Sequence, residues 1–195
     1  MKRGDTTAAD IYLAVGIALT SWEAAEDALL GLFRAFCAGK EPTLFDTYVS
    51  ARRSARADML RRAMRNYGQF ITNDETKRVL EILKASDRYA QKRNEIAHGY
   101  CVDLERSFGG QLRTAGYFLL PSQHEGIRLD RGKEDYDYRF AHTSTSMKEF
   151  ATALIALRDH IEPIMFSVMD RVQAETQARS KLISAAIAQQ RASGA

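Results

Sequence analysis

The chain is poor in the residues that staple, break or metallate a fold. Its 195 residues include two cysteines, three prolines and one tryptophan. Cys37 and Cys101 lie far apart and show no metal-ligand spacing. This excludes a disulfide scaffold and a cysteine-held zinc site, and fits a reducing compartment. There is no phosphate-binding glycine loop, zincin motif, nucleophile elbow or Cys-x-x-Cys pair, so most enzyme classes have no foothold. No apolar run reaches the roughly 18 residues that a bilayer-spanning helix needs. Lys2 and Arg3 precede an apolar run from Ile11 to Leu19. Asp5 and Asp10 intervene, and the apolar rhythm continues to Phe36 with no cleavage-like site. A cytoplasmic protein without a membrane partner is expected. The net charge of +3 is too small to define a nucleic-acid partner, and the hydrophobic fraction of 45% is ordinary for a globular chain.

What is present is helical rhythm. Ile11, Val15, Ala18, Trp22, Ala25, Leu29, Leu32 and Phe36 alternate four and three apart. That spacing predicts a long helix packed along near-parallel neighbours, opened by Thr6 or Thr7 and closed by Gly39 and Pro42. A second helical stretch spans Leu44 to Phe70, with a break near Ser50 to Ser54. Asn73-Asp74-Glu75 opens a third that stops near Gly99. The texture then changes from Arg106 to His142: Phe108-Gly109-Gly110 is a breaker, Tyr117 to Leu120 before Pro121 reads as a strand, and Asp135 to Phe140 alternates charged and aromatic residues as a second strand. The turn between them is expected near Glu125-Gly126 or Arg131-Gly132. Thr143 to Ser146 caps a last helix whose seam is Phe150, Leu154, Leu157, Ile161, Ile164 and Val168. Pro163 removes a backbone donor and should kink it. The expected architecture is an all-α bundle of four to five long helices, with a small β-ribbon at about 106–142 inserted between the third of these stretches and the C-terminal helix. The chain reads as a single domain over 1–195, with a frayed tail at about 186–195.

The third helix carries an anomaly. At about 100° per residue, Val79, Ile82, Leu83, Ser86, Tyr89, Ala90, Ile96, Ala97 and Tyr100 all fall within roughly 80° of Arg93. A guanidinium in an apolar stripe needs an anion to receive its donors. Asn94 and His98, four apart, share one edge of that stripe with Asp87 and Cys101. Two readings stand. Arg93 is a structural ion-pair partner of Glu23 or Glu26 on the first helix, with His98 a C-terminal cap before Gly99; or Arg93, Asn94 and His98 converge on a phosphate.

The stretch Arg93-Asn94-Glu95-Ile96-Ala97-His98 resembles the Arg-(4 to 6 residues)-His motif of the HEPN superfamily, including the polar residue that commonly follows the arginine. Tyr100, two beyond His98, fits the Arg-x4-His-x-Tyr form of toxins from HEPN–nucleotidyltransferase pairs. HEPN domains are helical, usually dimeric, and many are metal-independent endoribonucleases of toxin–antitoxin, CRISPR and anti-phage systems. The resemblance implies a homodimer cleaving RNA with no metal or other cofactor. Arg93 and His98 would be the catalytic pair, Asn94 would orient one of them, and Tyr100 would be open to AMPylation by a nucleotidyltransferase-type antitoxin. One helix places Arg93 and His98 about 140° and roughly 7.5 Å apart along its axis, so two copies must share the cleft. The alternative is a non-enzymatic HEPN module that binds a nucleotide or a protein partner. The strand-like insertion after the motif departs from the compact toxins of the family.

Arg52, Arg53, Arg56, Arg61, Arg62 and Arg65 crowd one segment with Asp58 as its only acid. They form either a solvated helix face or a phosphate-tracking surface for RNA. His124, His142 and His160 have no partner at metal-ligand spacing. Tyr117, Phe118, Tyr136, Tyr138 and Phe140 alternate as in a half-buried ribbon, although such rings also stack on unpaired bases.

Overall fold

The computed structural model describes residues 3–37, 42–108, 111–121 and 141–193. Among the described residues, five α-helices and one two-stranded antiparallel sheet follow in the order α1 (Ala8–Cys37), α2 (Pro42–Ser50), α3 (Arg53–Asn66), α4 (Asn73–Ala97), β1 (Tyr100–Phe108), β2 (Gln111–Leu120) and α5 (Ser144–Ser193), with a 3-10 turn at Gly68–Phe70 before α4. The all-α reading with a small ribbon between the fourth helix and the C-terminal one is correct.

Local signals set the helix starts. Thr7 Oγ1 accepts a hydrogen bond from the Asp10 amide at 3.2 Å and donates to its carboxylate at 2.7 Å, capping α1. Thr72 and Glu75 form a reciprocal box at α4: Glu75 receives the Thr72 amide at 2.8 Å, and Thr72 Oγ1 receives the Glu75 amide at 3.2 Å. Thr143 and Ser146 do the same at α5, at 3.0 and 3.3 Å. The break expected near Ser50 to Ser54 falls at Ala51 and Arg52, between α2 and α3. Helix α5 runs continuously through Pro163 to Ser193, past the point where fraying is expected.

The ribbon differs from expectation. Tyr117 to Leu120 is strand, and among the described residues it pairs with β1, in a register from Tyr100 opposite Leu120 to Phe108 opposite Gln111. The sheet thus begins directly after the motif helix, not at Arg106. The expected partner strand Asp135–Phe140 and both expected turns lie outside the described residues. Because α4 ends at Ala97, Tyr100 and Cys101 belong to a strand and do not extend the helical stripe.

The described chain forms two compact units. The first comprises residues up to Glu26 and Lys84–Leu157. Its core is Ile11, Ala14, Ala18, Trp22, Ile96, Leu119, Met147, Phe150 and Leu154. Here β2 is central, because its other edge bonds the N-terminal segment and His142. Asp5 pairs with Tyr117 and His142 with Leu119, all four backbone bonds being 2.9 Å. Asp5 also accepts the Ser144 amide at 2.8 Å and the Ser144 hydroxyl, placing a carboxylate at the start of α5, where the helix dipole favours it. Gly116 makes this possible: its φ of +104° accommodates the irregularity in register opposite Leu104 and Glu105, and a Cβ there would lie 2.8 Å from the Asp5 carbonyl.

The second unit comprises Asp27–Leu83 and the chain from Arg158 onward. Leu29, Leu32, Phe33, Phe36, Tyr48, Leu60, Met64, Val79, Leu83, Ile161, Ile164 and Val168 are buried in it. Phe33 stacks on Tyr48 at 4.6 Å. The Arg171 guanidinium clamps Glu75 with two bonds, at 2.7 and 3.1 Å, and also donates to the Phe70 carbonyl at 3.0 Å. From Gln173 to Gln190 every residue of α5 is exposed.

Candidate functional site

The candidate site is the last two turns of α4 and the start of β1. The apolar stripe is buried as its spacing predicts: Ile96 and Ser86 are almost fully enclosed, and Tyr89 and Ala90 pack against the core of the first unit. Arg93 projects from this side and retains about a third of its side-chain exposure. Its contacts are loose. Nη2 lies 3.7 Å from Glu23 Oε1, and Nη1 donates to Asn94 Oδ1 at 3.3 Å. Nε is enclosed and, among the described residues, has no hydrogen-bond partner. Glu26, the other candidate carboxylate, is half-buried. Asn94 is exposed, so it holds Arg93 from the solvent side.

His98 lies on the turn that leaves α4. Its amide donates to the Asn94 carbonyl at 3.0 Å, and its side chain is exposed. Gly99 must be glycine here, since a Cβ would come within 2.8 Å of Leu119 Cγ and 2.9 Å of the Glu95 carbonyl. That close approach tucks the helix end against β2 and turns the chain into β1. Tyr100 follows on the strand with 45% of its surface exposed, leaving its ring accessible.

Sequence reasoning missed Glu95 and His142 as a pair. His142 is buried, and its Nε2 lies 3.3 Å from Glu95 Oε2, while Gln91 donates to Glu95 Oε1 at 3.3 Å. No local signal marks a contact between a helix and a residue so distant in sequence; the bridge of His142 to Leu119 brings His142 to the helix end.

The six arginines belong to the second unit and are not equivalent. Arg56 is committed to structure: Nε donates to the Ala51 carbonyl at 3.0 Å, an Nη donates to the Val49 carbonyl, and the guanidinium lies 5.9 Å from the Tyr48 ring centroid. It thus closes the C-terminal end of α2. Arg61 pairs with Asp58 at 2.8 Å, and Arg53 is half-buried. Arg52, Arg62 and Arg65 are exposed.

Neither thiol is activated. Burial raises the Cys37 pKa; burial, then the charges of Asp5 and Asp103, raises that of Cys101. Among the described residues no group of three or more His, Cys, Asp or Glu is placed to hold a metal ion, and no helix is long and apolar enough to cross a membrane. A groove of about 420 Å³ in the second unit, lined by Phe36, Tyr67, Phe70, Val172 and Ile183 among others, contains none of the motif residues.

Comparison of the chain with models of protein families, with functionally characterised proteins and with solved structures finds no match in any of the three.

Proposed function

We propose that the protein is a metal-independent endoribonuclease of HEPN type, acting as a cytoplasmic homodimer in toxin–antitoxin or anti-phage defence. The observation that carries this reading is the contrast between two arginines of the same molecule. Arg171 shows what a structural guanidinium looks like here: a bidentate carboxylate at 2.7 and 3.1 Å and a carbonyl besides. Arg93 has a distant, exposed carboxylate, one amide oxygen and an Nε without a hydrogen bond. Its donors are held in place but not used up, the state expected of a group that receives an anionic ligand.

In this reading His98 takes the proton of the ribose 2′-hydroxyl as that oxygen attacks phosphorus. The bond to the 5′-oxygen breaks, an imidazolium returns a proton to it, and a 2′,3′-cyclic phosphate remains. Arg93 stabilises the charge growing on the phosphoryl oxygens, and Asn94 Oδ1 fixes its orientation. Two copies supply the two imidazoles that base and acid require. An exposed apolar face on α1 supports such pairing: Tyr12 and Leu13 are 62% exposed and Ile17 39%, around Gly16, beyond whose backbone there is open space. The exposed Tyr100 suits modification by a nucleotidyltransferase-type antitoxin.

The test is a gel assay of single-stranded RNA with excess chelator. Cleavage that leaves cyclic phosphate ends and falls at least 10²-fold in both Arg93→Ala and His98→Ala supports the reading. Absence of cleavage by the wild type, or equal cleavage by all three, overturns it in favour of a non-enzymatic module.

A further inference from the structure

On the solvent side of α4, Lys84 and Arg88 are exposed and Lys92 is half-buried. They repeat every four residues, about 6 Å apart along the helix axis. At about 100° per residue, Lys84, Arg88, Gln91, Glu95 and His98 lie within roughly 80° of arc, with Lys92 bordering it and Arg93 on the opposite side. Glu95, the acid within this arc, is in contact with Gln91 and His142, and the exposed Glu81 and Asp87 flank the arc at about 20° on either side. Lys92 Nζ is held 5.1 Å from the Phe150 ring centroid, which fixes the end of the row nearest the motif. Among the described residues none of the three cations takes part in an ion pair.

Electrostatics at the helix end gives this row a purpose. His98 sits at the C-terminus of α4, where the helix dipole is equivalent to about half a negative charge and repels a phosphate. The last turn of α4 contains no basic residue. A phosphate brought to His98 therefore needs cations from earlier turns on the same side.

We propose that Lys84, Arg88 and Lys92 form a track for the backbone of single-stranded RNA, leading along α4 to His98. The proposal rests on the ribonuclease reading and adds a surface to it within the motif's own unit. The three side chains neutralise phosphates without reading bases, so the track binds RNA irrespective of sequence.

The experiment uses the His98→Ala protein, which preserves the RNA, and measures affinity for a labelled single strand across a salt series. The same protein carrying Lys84→Glu and Arg88→Glu should bind at least 10-fold more weakly at low salt. The slope of log affinity against log salt should shrink by about 1.4, at about 0.7 per phosphate released. Both side chains are exposed, so the melting temperature should hold; a parallel pair, Lys148→Glu and Lys181→Glu, exposed and outside both basic segments, controls for a general change in charge. An unchanged slope in the Lys84/Arg88 reversal, or an equal loss in both pairs, overturns the track and leaves the ribonuclease reading standing. Failure of the His98→Ala protein to bind RNA at any salt overturns both.

Discussion

Glu95 of α4 and His142 of the segment before α5 meet at 3.3 Å, with both side chains largely enclosed. The carboxylate is fixed from its other side by Gln91. This contact pins the helix end that carries Arg93 and His98 to the edge of the sheet. Glu95 lies inside the motif, yet its position is that of a support.

Its substitution should therefore affect stability more than chemistry. Glu95→Ala leaves a buried imidazole facing an apolar gap and should cost about 1–3 kcal/mol. Glu95→Gln, which keeps the shape of the side chain and the oxygen that accepts from Gln91, should recover most of that loss. Under the ribonuclease reading, Glu95→Gln cleaves RNA within a fewfold of wild type while His98→Ala does not. Thermal melts alongside cleavage rates check this; a folded Glu95→Gln protein as inactive as His98→Ala would move Glu95 into the chemistry.

The Glu75–Arg171 clamp sets an acid limit. Hydrogen bonding from Arg171, aided by Thr72, lowers the Glu75 pKa from 4.5 to about 2. A depressed folded-state pKa stabilises the protein above the unfolded value, and the contribution is lost as pH falls from about 4.5 through 2. Arg171 is 36% exposed, so screening reduces the effect to about 1–2 kcal/mol. Glu75→Gln should be less stable than wild type at pH 7 by that amount, and the difference should shrink below about pH 4.5 and close only near pH 2. Denaturant titrations from pH 2 to pH 7 measure it.

Three glycines should respond differently to alanine. Gly99→Ala forces Leu119 and the Glu95 carbonyl aside and should cost about 1–3 kcal/mol. Gly116→Ala adds a strained φ to close backbone contacts and should cost at least as much. Gly16→Ala has open space and a helical setting, and should stabilise α1 by up to about 1 kcal/mol. Equal losses at all three would contradict the packing described here.

If the apolar α1 face joins two copies, Ile17→Glu should yield monomers that retain their helicity but lose RNA cleavage, with Arg93 and His98 unchanged. Sedimentation and cleavage on the same samples decide this. A fully active monomer would remove the need for a shared cleft.

The helices were legible because their determinants are local. The α1 seam is buried at Ile11, Ala18, Trp22, Ala25, Leu29, Leu32 and Phe36, and the Thr143–Ser146 cap is a matter of three residues. The sheet was half legible. Tyr117 to Leu120 showed itself as strand, but its partner depended on Gly99 turning the chain straight into β1 and on Gly116 accommodating the irregular register. Neither the Asp5 pairing nor the His142 contact leaves a local trace. At the site, the sequence marked Arg93, Asn94, His98 and Glu23 but could not reveal that Arg93 is loosely held. It grouped Arg56 with its neighbours because a carbonyl acceptor seven residues away, at Val49, is invisible to composition.

The last helix is one element by geometry and two by persistence. Through Val172 its seam is buried, whereas from Gln173 to Gln190 every residue is exposed. That stretch lacks the buried face from which most helical stability in proteins comes. Within the second unit, amides from Ile161 to Val172 should exchange with deuterium only through large openings, and those beyond should exchange through fraying orders of magnitude faster. A protease should therefore trim the chain from this end and halt near Val172, leaving the Arg171 clamp as the mechanical terminus of the fold.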